Sequence, residues 1–289
     1  PAAPHWSMKF VAHVTPAHFL ETAEPWLLRA EAEHGLLLGL ARSRAALGED
    51  PDPTELFATV QEGNRVVGCL FRTPPHPLGL TDLPESAIPL VLRQLSMIYP
   101  DLPAVVGPPE ATAAFAEGWA HASGALVREG PQMEIRVLDE VVPPPQLASG
   151  HLRLAASGDS DLVEEWGFLF VDETGIGRAG PKSPARALMA DDALYVWEAH
   201  GTVVSMAAAL GATPRGIRIA YVYTPPGARG HGYATALVAV LSQLLLDRGF
   251  AFCFLYTDRA NPTSSGIYER LGYRTEGLAS MLEFVPASG

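Results

Sequence analysis

The chain has 289 residues, enough for one large domain or two ordinary ones, and 48% apolar against 18% charged residues allows a sizeable core. Its net charge of −12 argues against a nucleic-acid partner, which wants a basic face; it suits a cationic amine substrate, and equally plain solubility. No apolar run reaches the ~20 residues that span a bilayer and no charged-then-apolar leader opens the chain, so no membrane is expected.

The two cysteines, Cys69 and Cys253, lie in apolar runs that fit buried strands. They point to a reducing, cytoplasmic compartment with no disulfide, and no metal-ligand spacing is present. Residues 1–7, ahead of the first methionine at Met8, are left out of the fold expectation.

Residues 10–14 read as a short strand. Thr15 then caps a helix with Pro16 at its first position, and Pro25 breaks or restarts it. Trp26, Ala30, His34, Leu37 and Ala41 recur at helical spacing, which predicts a second amphipathic helix with His34 as a satisfied, half-buried ring. Residues 48–53 read as a loop. Residues 56–61 and 66–73 flank Glu62-Gly63-Asn64-Arg65 as a hairpin. A strand at 78–83, a helix at 85–99 with Pro89 in its first turn, a short strand at 104–106, a helix at 111–122 and a strand at 132–138 follow.

The run VVPPPQLASG at 141–150 cannot continue a helix or a central strand and reads as a stiff spacer. It divides the chain into a first domain at 8–142, a linker at 143–150 and a second domain at 151–289. The second domain opens with a strand at 151–155. Asp159 or Ser160 caps a helix through Glu164, Trp166 and Phe170. Residues 171–182 read as a glycine-rich loop, 184–190 as a short helix, and 194–199 with 203–209 as a hairpin around His200-Gly201.

A β-prone run at 217–223 enters Thr224-Pro225-Pro226-Gly227-Ala228, which cannot be helix. Arg229-Gly230-His231-Gly232-Tyr233-Ala234 then opens a long apolar helix reaching Asp247. Strand, glycine-rich loop and helix N-terminus together make an anion site, because the first helical amides point outward and glycines let a phosphate approach the backbone. A tight turn would read the same way. No Walker lysine is present, and the acidic residue a dinucleotide fingerprint needs has no clear counterpart, since Asp258 lies in a run of another kind. That run is a strand at 250–256, Asn261-Pro262, a short helix carrying Ile267, Tyr268 and Leu271, and Gly272-Tyr273. A last strand covers 280–285.

Together these two stretches resemble the GNAT superfamily of acetyl-CoA-dependent N-acetyltransferases. The family pattern Arg/Gln-x-x-Gly-x-Gly/Ala is met by Arg229, Gly232 and Ala234, and the strand, Asn-Pro, helix, Tyr and Leu-Gly-Tyr succession meets its second half. The resemblance covers residues 152–284. It implies an α/β (α+β) fold whose mixed, mostly antiparallel twisted sheet is flanked by helices.

It also implies roles. Amides from Gly230 through His231, Gly232 and Tyr233 to Ala234 would hold the coenzyme's diphosphate, with Arg229 facing that side of the loop. Val222 and Tyr223 would pair their backbone with the pantetheine arm, a backbone N–H near Tyr223 polarising the thioester. Asn261 would meet the arm or merely cap its helix, and Ser264 would cap or line the arm. Tyr268 would donate a proton to the departing thiolate, or be a core aromatic beside Tyr273. The general base stays open among Glu164, Glu165, Asp172, Glu173 and a water relay, because residues 218–223 contain no acid. We carry Glu165 as the candidate.

Residues 56–73 echo 194–211, and residues 116–138 echo 265–284, so two GNAT-like domains in tandem are expected. The first has Thr81-Asp82-Leu83-Pro84-Glu85 where the second has its glycine loop, placing acids where an anion would bind. It should hold no coenzyme. The expected activity is direct transfer of an acetyl group from acetyl-CoA to a primary amine of a small molecule or peptide, by a monomer or homodimer without a metal. The alternative is a non-catalytic coenzyme A-binding sensor or interaction module.

Overall fold

The computed structural model describes residues 8–48, 52–175 and 185–286. They form two compact units. The first takes the described residues up to 134 together with 258–260 and those from 277 on; the second takes 135–257 and 261–276.

In the first unit, β1 (Met8–Ala12) leads to α1 (Pro16–Leu27) and α2 (Gly35–Leu47), then to the hairpin of β2 (Leu56–Glu62) and β3 (Arg65–Arg72). Short β4 (Leu78–Leu80), α3 (Ile88–Ile98), β5 (Ala104–Gly107), α4 (Pro109–Ser123) and β6 (Leu126–Leu138) complete the first half of the sequence. The second half runs β7 (His151–Leu154), α5 (Ser160–Thr174), α6 (Ala185–Ala190), β8 (Leu194–Ala199), β9 (Thr202–Leu210), β10 (Gly216–Tyr223), α7 (Tyr233–Asp247), β11 (Phe252–Asp258), α8 (Pro262–Arg270) and β12 (Arg274–Val285).

The two halves repeat one strand order. The first unit reads β1-β2-β3-β4-β5-β12, and the second reads β7-β8-β9-β10-β11-β6. All neighbours but one in each order whose pairing is given run antiparallel; β4 with β5 and β10 with β11 are the parallel pairs. Each unit thus takes its last strand from the other half of the sequence. Residues of β12 from 277 onward pair with β5, Ser280 opposite Gly107, while residues 135–138 of β6 join the second unit.

The core of the second unit explains where its site lies. Along β9, Ala207 and Ala209 face the cluster containing Leu237, Leu241 and Leu245 of α7, and their small size lets that helix lie close. Met206 and Ala208 face the opposite cluster, with Val163 and Trp166 of α5 and Leu188 of α6. Fully burying each such leucine contributes roughly 1.5–3 kcal/mol. The proline-rich segment 143–150 belongs to this unit too. Ala148 packs on the α7 cluster, and the Trp197 Nε1–H donates to the Ser149 carbonyl at 3.0 Å.

Several element expectations need correction. Pro25 does not break α1, since it sits two residues from the end and forfeits a single hydrogen bond. The next helix starts at Gly35 rather than near Trp26, after a 3-10 turn at Leu28–Ala30. His34 instead closes that turn: its Nδ1 lies 2.8 Å from the Leu27 carbonyl and its ring stacks on Trp26. Residues 171–174 are the last turn of α5, closed by left-handed Gly175. The expected loop at 176–182 and Pro184 lie outside the described residues.

Candidate functional site

The site is built where β10 ends. Its parallel register with β11 spans Gly216 opposite Phe252 to Arg218 opposite Phe254. β11 continues to Asp258 and β10 to Tyr223, so past Arg218 the two strands part. On its other side β10 stays paired with β9, Tyr223 opposite Met206, but the register shifts between Ala220 and Tyr223.

That shift is a bulge centred on Tyr221, whose φ of 53° is a left-handed value a bulky side chain rarely adopts. One extra residue reverses every facing after it. Ile217 and Ile219 point to the α7 side. Simple alternation would send Tyr221 and Tyr223 there as well. Instead both point to the α5 side and Val222 takes the α7 side. The Tyr221 ring lies 5.2 Å from Phe170, and the Tyr223 ring lies 5.9 Å from Trp166, both on α5. The Tyr223 hydroxyl is buried with no well-formed hydrogen bond among the described residues. Burial, and after it the charge of Glu173, raises its pKa, while Arg229 opposes the rise.

Next comes the loop. Ser205 Oγ–H donates to the Tyr223 carbonyl at 3.0 Å and lies 2.8 Å from Thr224 Oγ1, which pins the strand end. A 3-10 turn at Pro226–Ala228 follows. Gly230 and Gly232 have φ of 82° and 78°, and Gly232 is the N-cap of α7. The first main-chain bond of α7 runs from the Ala236 N–H to the Gly232 carbonyl, so the amides of the opening turn have no helical acceptor. A Cβ at Gly230 would meet nothing within 4 Å, and one at Gly232 would meet only the Ala148 methyl, at 3.8 Å. The loop is therefore an open concavity lined by backbone donors at the positive end of a helix dipole.

His231 turns back on its own loop, its Nδ1 2.9 Å from the Arg229 carbonyl and its ring stacked on Tyr233. Arg229 is engaged sideways rather than left free at the loop mouth. Its Nε donates to the Thr224 carbonyl at 2.8 Å, and its Nη2 reaches both oxygens of Glu173 at 2.9 and 2.8 Å. This pair ties the loop to the end of α5.

Across the gap, Asn261 caps α8. Its Oδ1 accepts from the Ser264 N–H at 3.2 Å, so the capping alternative is present in the geometry. Tyr268 is buried in the α7-side core, edge-on to Tyr273 at 5.6 Å. Burial pushes its pKa up to about 12, with Arg136 opposing, so the phenol keeps its proton throughout the neutral range. Glu165 is exposed on α5, Glu164 pairs with Arg186, and Glu173 is held by Arg229.

The structure thus brings Val222, Tyr223, Arg229 and residues 230–234 into one strand–loop–helix unit, while Glu165 stands on the outer surface of α5. Two features escaped the sequence reading. The Tyr221 bulge has no motif. Arg218, alone between Ile217 and Ile219 in an apolar strand, was visible as a charge out of place.

Comparison with known proteins agrees with this geometry. Residues 162–273 match the family model described as Acetyltransferase (GNAT) family. A Drosophila protein shares the fold over 96% of this chain and 99% of its own, with a TM-score of 0.69 at 12% identity. A GCN5-related N-acetyltransferase from Sphaerobacter thermophilus matches with a TM-score of 0.60 at 18% identity, covering 97% of each chain. A tandem GNAT protein from the clavulanic acid biosynthesis pathway matches with a TM-score of 0.55 at 14% identity, over 98% of this chain and 100% of that one. No curated protein sequence matches significantly. The class so defined is the tandem GNAT fold. Within it, residues 162–273 are the part that is similar to the acetyltransferase (GNAT) family.

Proposed function

We propose that the second unit transfers an acetyl group from acetyl-CoA directly to the amine of a small molecule or peptide. The observation that supports this best is the parting of β10 from β11 just ahead of the glycine loop. An open strand edge suits an amide-bearing arm, and the amides at the start of α7 suit a diphosphate. The open space before Gly230 and Gly232 leaves room for such an anion.

Coenzyme A held there supplies a thioester carbonyl. In this reading a main-chain N–H near Tyr223 donates to the carbonyl oxygen, where negative charge develops. Val222 and Tyr223 hold the arm through backbone groups, and Asn261 and Ser264 shape the start of α8 beside it. Arg229 fixes the loop against Glu173. Tyr268 keeps a proton at Oη for the departing sulfur. Glu165, exposed on the outer surface of α5, is set apart from this unit, so the proton of the incoming ammonium leaves through a water relay.

The first unit lacks these features. A Cβ at Gly107 would come within 2.5 Å of the Leu80 carbonyl oxygen, so β4 and β5 stay pressed together where β10 and β11 part. On the other side Thr81 extends the pairing of β4 with β3, its N–H donating to the Cys69 carbonyl at 3.0 Å, and Leu83 packs into the core. We assign the coenzyme to the second unit alone, which predicts a calorimetric stoichiometry near one. A value near two overturns this assignment.

The burial of Tyr268 and the lack of any acid in β10 favour one competing reading, a non-catalytic coenzyme A-binding module. Incubating the protein with acetyl-CoA and a panel of amines, and following free thiol, separates the two. Amine-dependent thiol release supports transfer. Saturable coenzyme binding without it selects the binding module, and no coenzyme binding overturns both.

A further inference from the structure

We propose that the acceptor carries a carboxylate as well as its amine, and that Arg218 receives that carboxylate. The inference rests on the transfer reading above and names the substrate class of the same site.

Arg218 occupies the last pair of the β10–β11 register, at the root of the gap. Its neighbours Ile217 and Ile219 face the α7 core, so Arg218 faces the other way, onto the side where the bulge also sends Tyr221 and Tyr223. Tyr221 on that side packs against α5. The Arg218 Nε is enclosed and donates to nothing among the described residues.

Its electrostatic neighbours are the phenols of Tyr256 and Tyr221; burial pulls the guanidinium pKa down and the phenols only partly oppose it. Burial in turn raises the pKa of Tyr221, so it does not become a counter-anion near neutrality. No acid occurs in β10, and residues 176–184, between α5 and α6 in the sequence, contain no Asp or Glu.

A guanidinium nitrogen held away from water without a partner is costly, and breaking even a formed buried pair costs several kcal/mol. A chain with 32 acidic residues against 20 basic ones places none of them on this Nε among the described residues. A planar guanidinium fits a carboxylate better than any neutral group, through charge-assisted bonds in a fixed fork. Placed at the root of the gap, it orients an amino-acid-like molecule by its acid group and leaves the amine for the thioester.

The test compares amines bearing a carboxylate, α-, β- and γ-amino acids, with their carboxamides at saturating acetyl-CoA. Wild type should favour the acids by about 10- to 100-fold in kcat/KM, the range set by a hydrogen bond to a charged group. Arg218→Met should bring that ratio near one, and Arg218→Lys should keep part of it. Equal use of acids and carboxamides by wild type, or a ratio that Arg218→Met leaves unchanged, overturns the proposal.

If no amine turns over, the same pairs are titrated calorimetrically into protein saturated with coenzyme A. Acid binding that Arg218→Met abolishes supports the carboxylate site while sinking the transfer reading; binding indifferent to the acid, or none, overturns the site. Thermal unfolding supplies the structural control. Arg218→Met removes an uncompensated cation, so its Tm should equal or exceed that of wild type. A lower Tm would make Arg218 a structural residue.

Discussion

Gly232 is the position at which one carbon atom should disable the proposed coenzyme site. It caps α7 with a φ of 78°, and the aim of the next amides depends on that left-handed turn. Replacing it by Ala raises no clash, because the new Cβ meets only the Ala148 methyl at 3.8 Å. The cost is then conformational, about 1–2 kcal/mol for a side chain held left-handed. For a domain of ~150–250 residues that lowers Tm by about 2–8 °C. Val, branched at Cβ, tolerates the left-handed region still less, so the loop relaxes toward negative φ and the amides of Tyr233 and Ala234 turn away from the concavity. Its branches also enter the space an anion would use. Calorimetric titration with coenzyme A at 20 °C, well below the unfolding transition, should show binding weakened about tenfold by Gly232→Ala and lost in Gly232→Val. A Val variant that binds within threefold of wild type, with unchanged Tm, would refute this account of the loop.

Tyr268→Phe should lower kcat about a hundredfold while the KM for acetyl-CoA moves little, because the ring still packs on Tyr273 and only the phenolic proton is lost; pre-steady-state kinetics checks that chemistry limits turnover, and an unchanged kcat returns Tyr268 to the core. Alkaline solution should unfold the protein. The pKa of Tyr268 is raised to about 12 and that of Tyr273 is raised too, both by burial, so above pH ~10 the folded state binds more protons than the unfolded one and stability falls as pH rises. Urea titrations between pH 8 and 11 should show that loss, smaller in Tyr268→Phe than in wild type. Glu173→Ala should change stability by less than ~1 kcal/mol in urea unfolding, since the pair with Arg229 is half-exposed, yet raise the KM for acetyl-CoA by freeing the loop.

What could be read from the sequence divides along physical lines. The glycine loop and the hairpins rest on local backbone preference and formed close to their expected places, whereas the proline-rich run, expected as a spacer, packs within the second unit. The repeat was legible because both halves conserve apolar spacing around their hairpins. The facing of Tyr221 and Tyr223 was not legible. A bulge is one residue with unusual φ, no residue type demands it here, and alternation alone predicts the opposite face. Nor could the hold on Arg229 be read, because Glu173 lies 56 residues away in sequence and meets it only through the fold. The exchange of final strands was equally hidden, since both copies have the same strand pattern whichever neighbour they join.

That exchange constrains how the protein comes into being. Residues 277–285, which supply the neighbour of β5, are synthesised after every element of the second unit. A ribosome that has released residues 1–150 has therefore delivered a first unit whose β5 still presents a bare edge, the kind of surface on which nascent chains misassociate. The first half must wait for the second, because a strand made after the second unit's other elements closes the sheet of the first. Cutting the gene at the proline-rich segment would not yield two independent proteins; each piece would lack its terminal strand, and mixing the two would be the way to recover a fold.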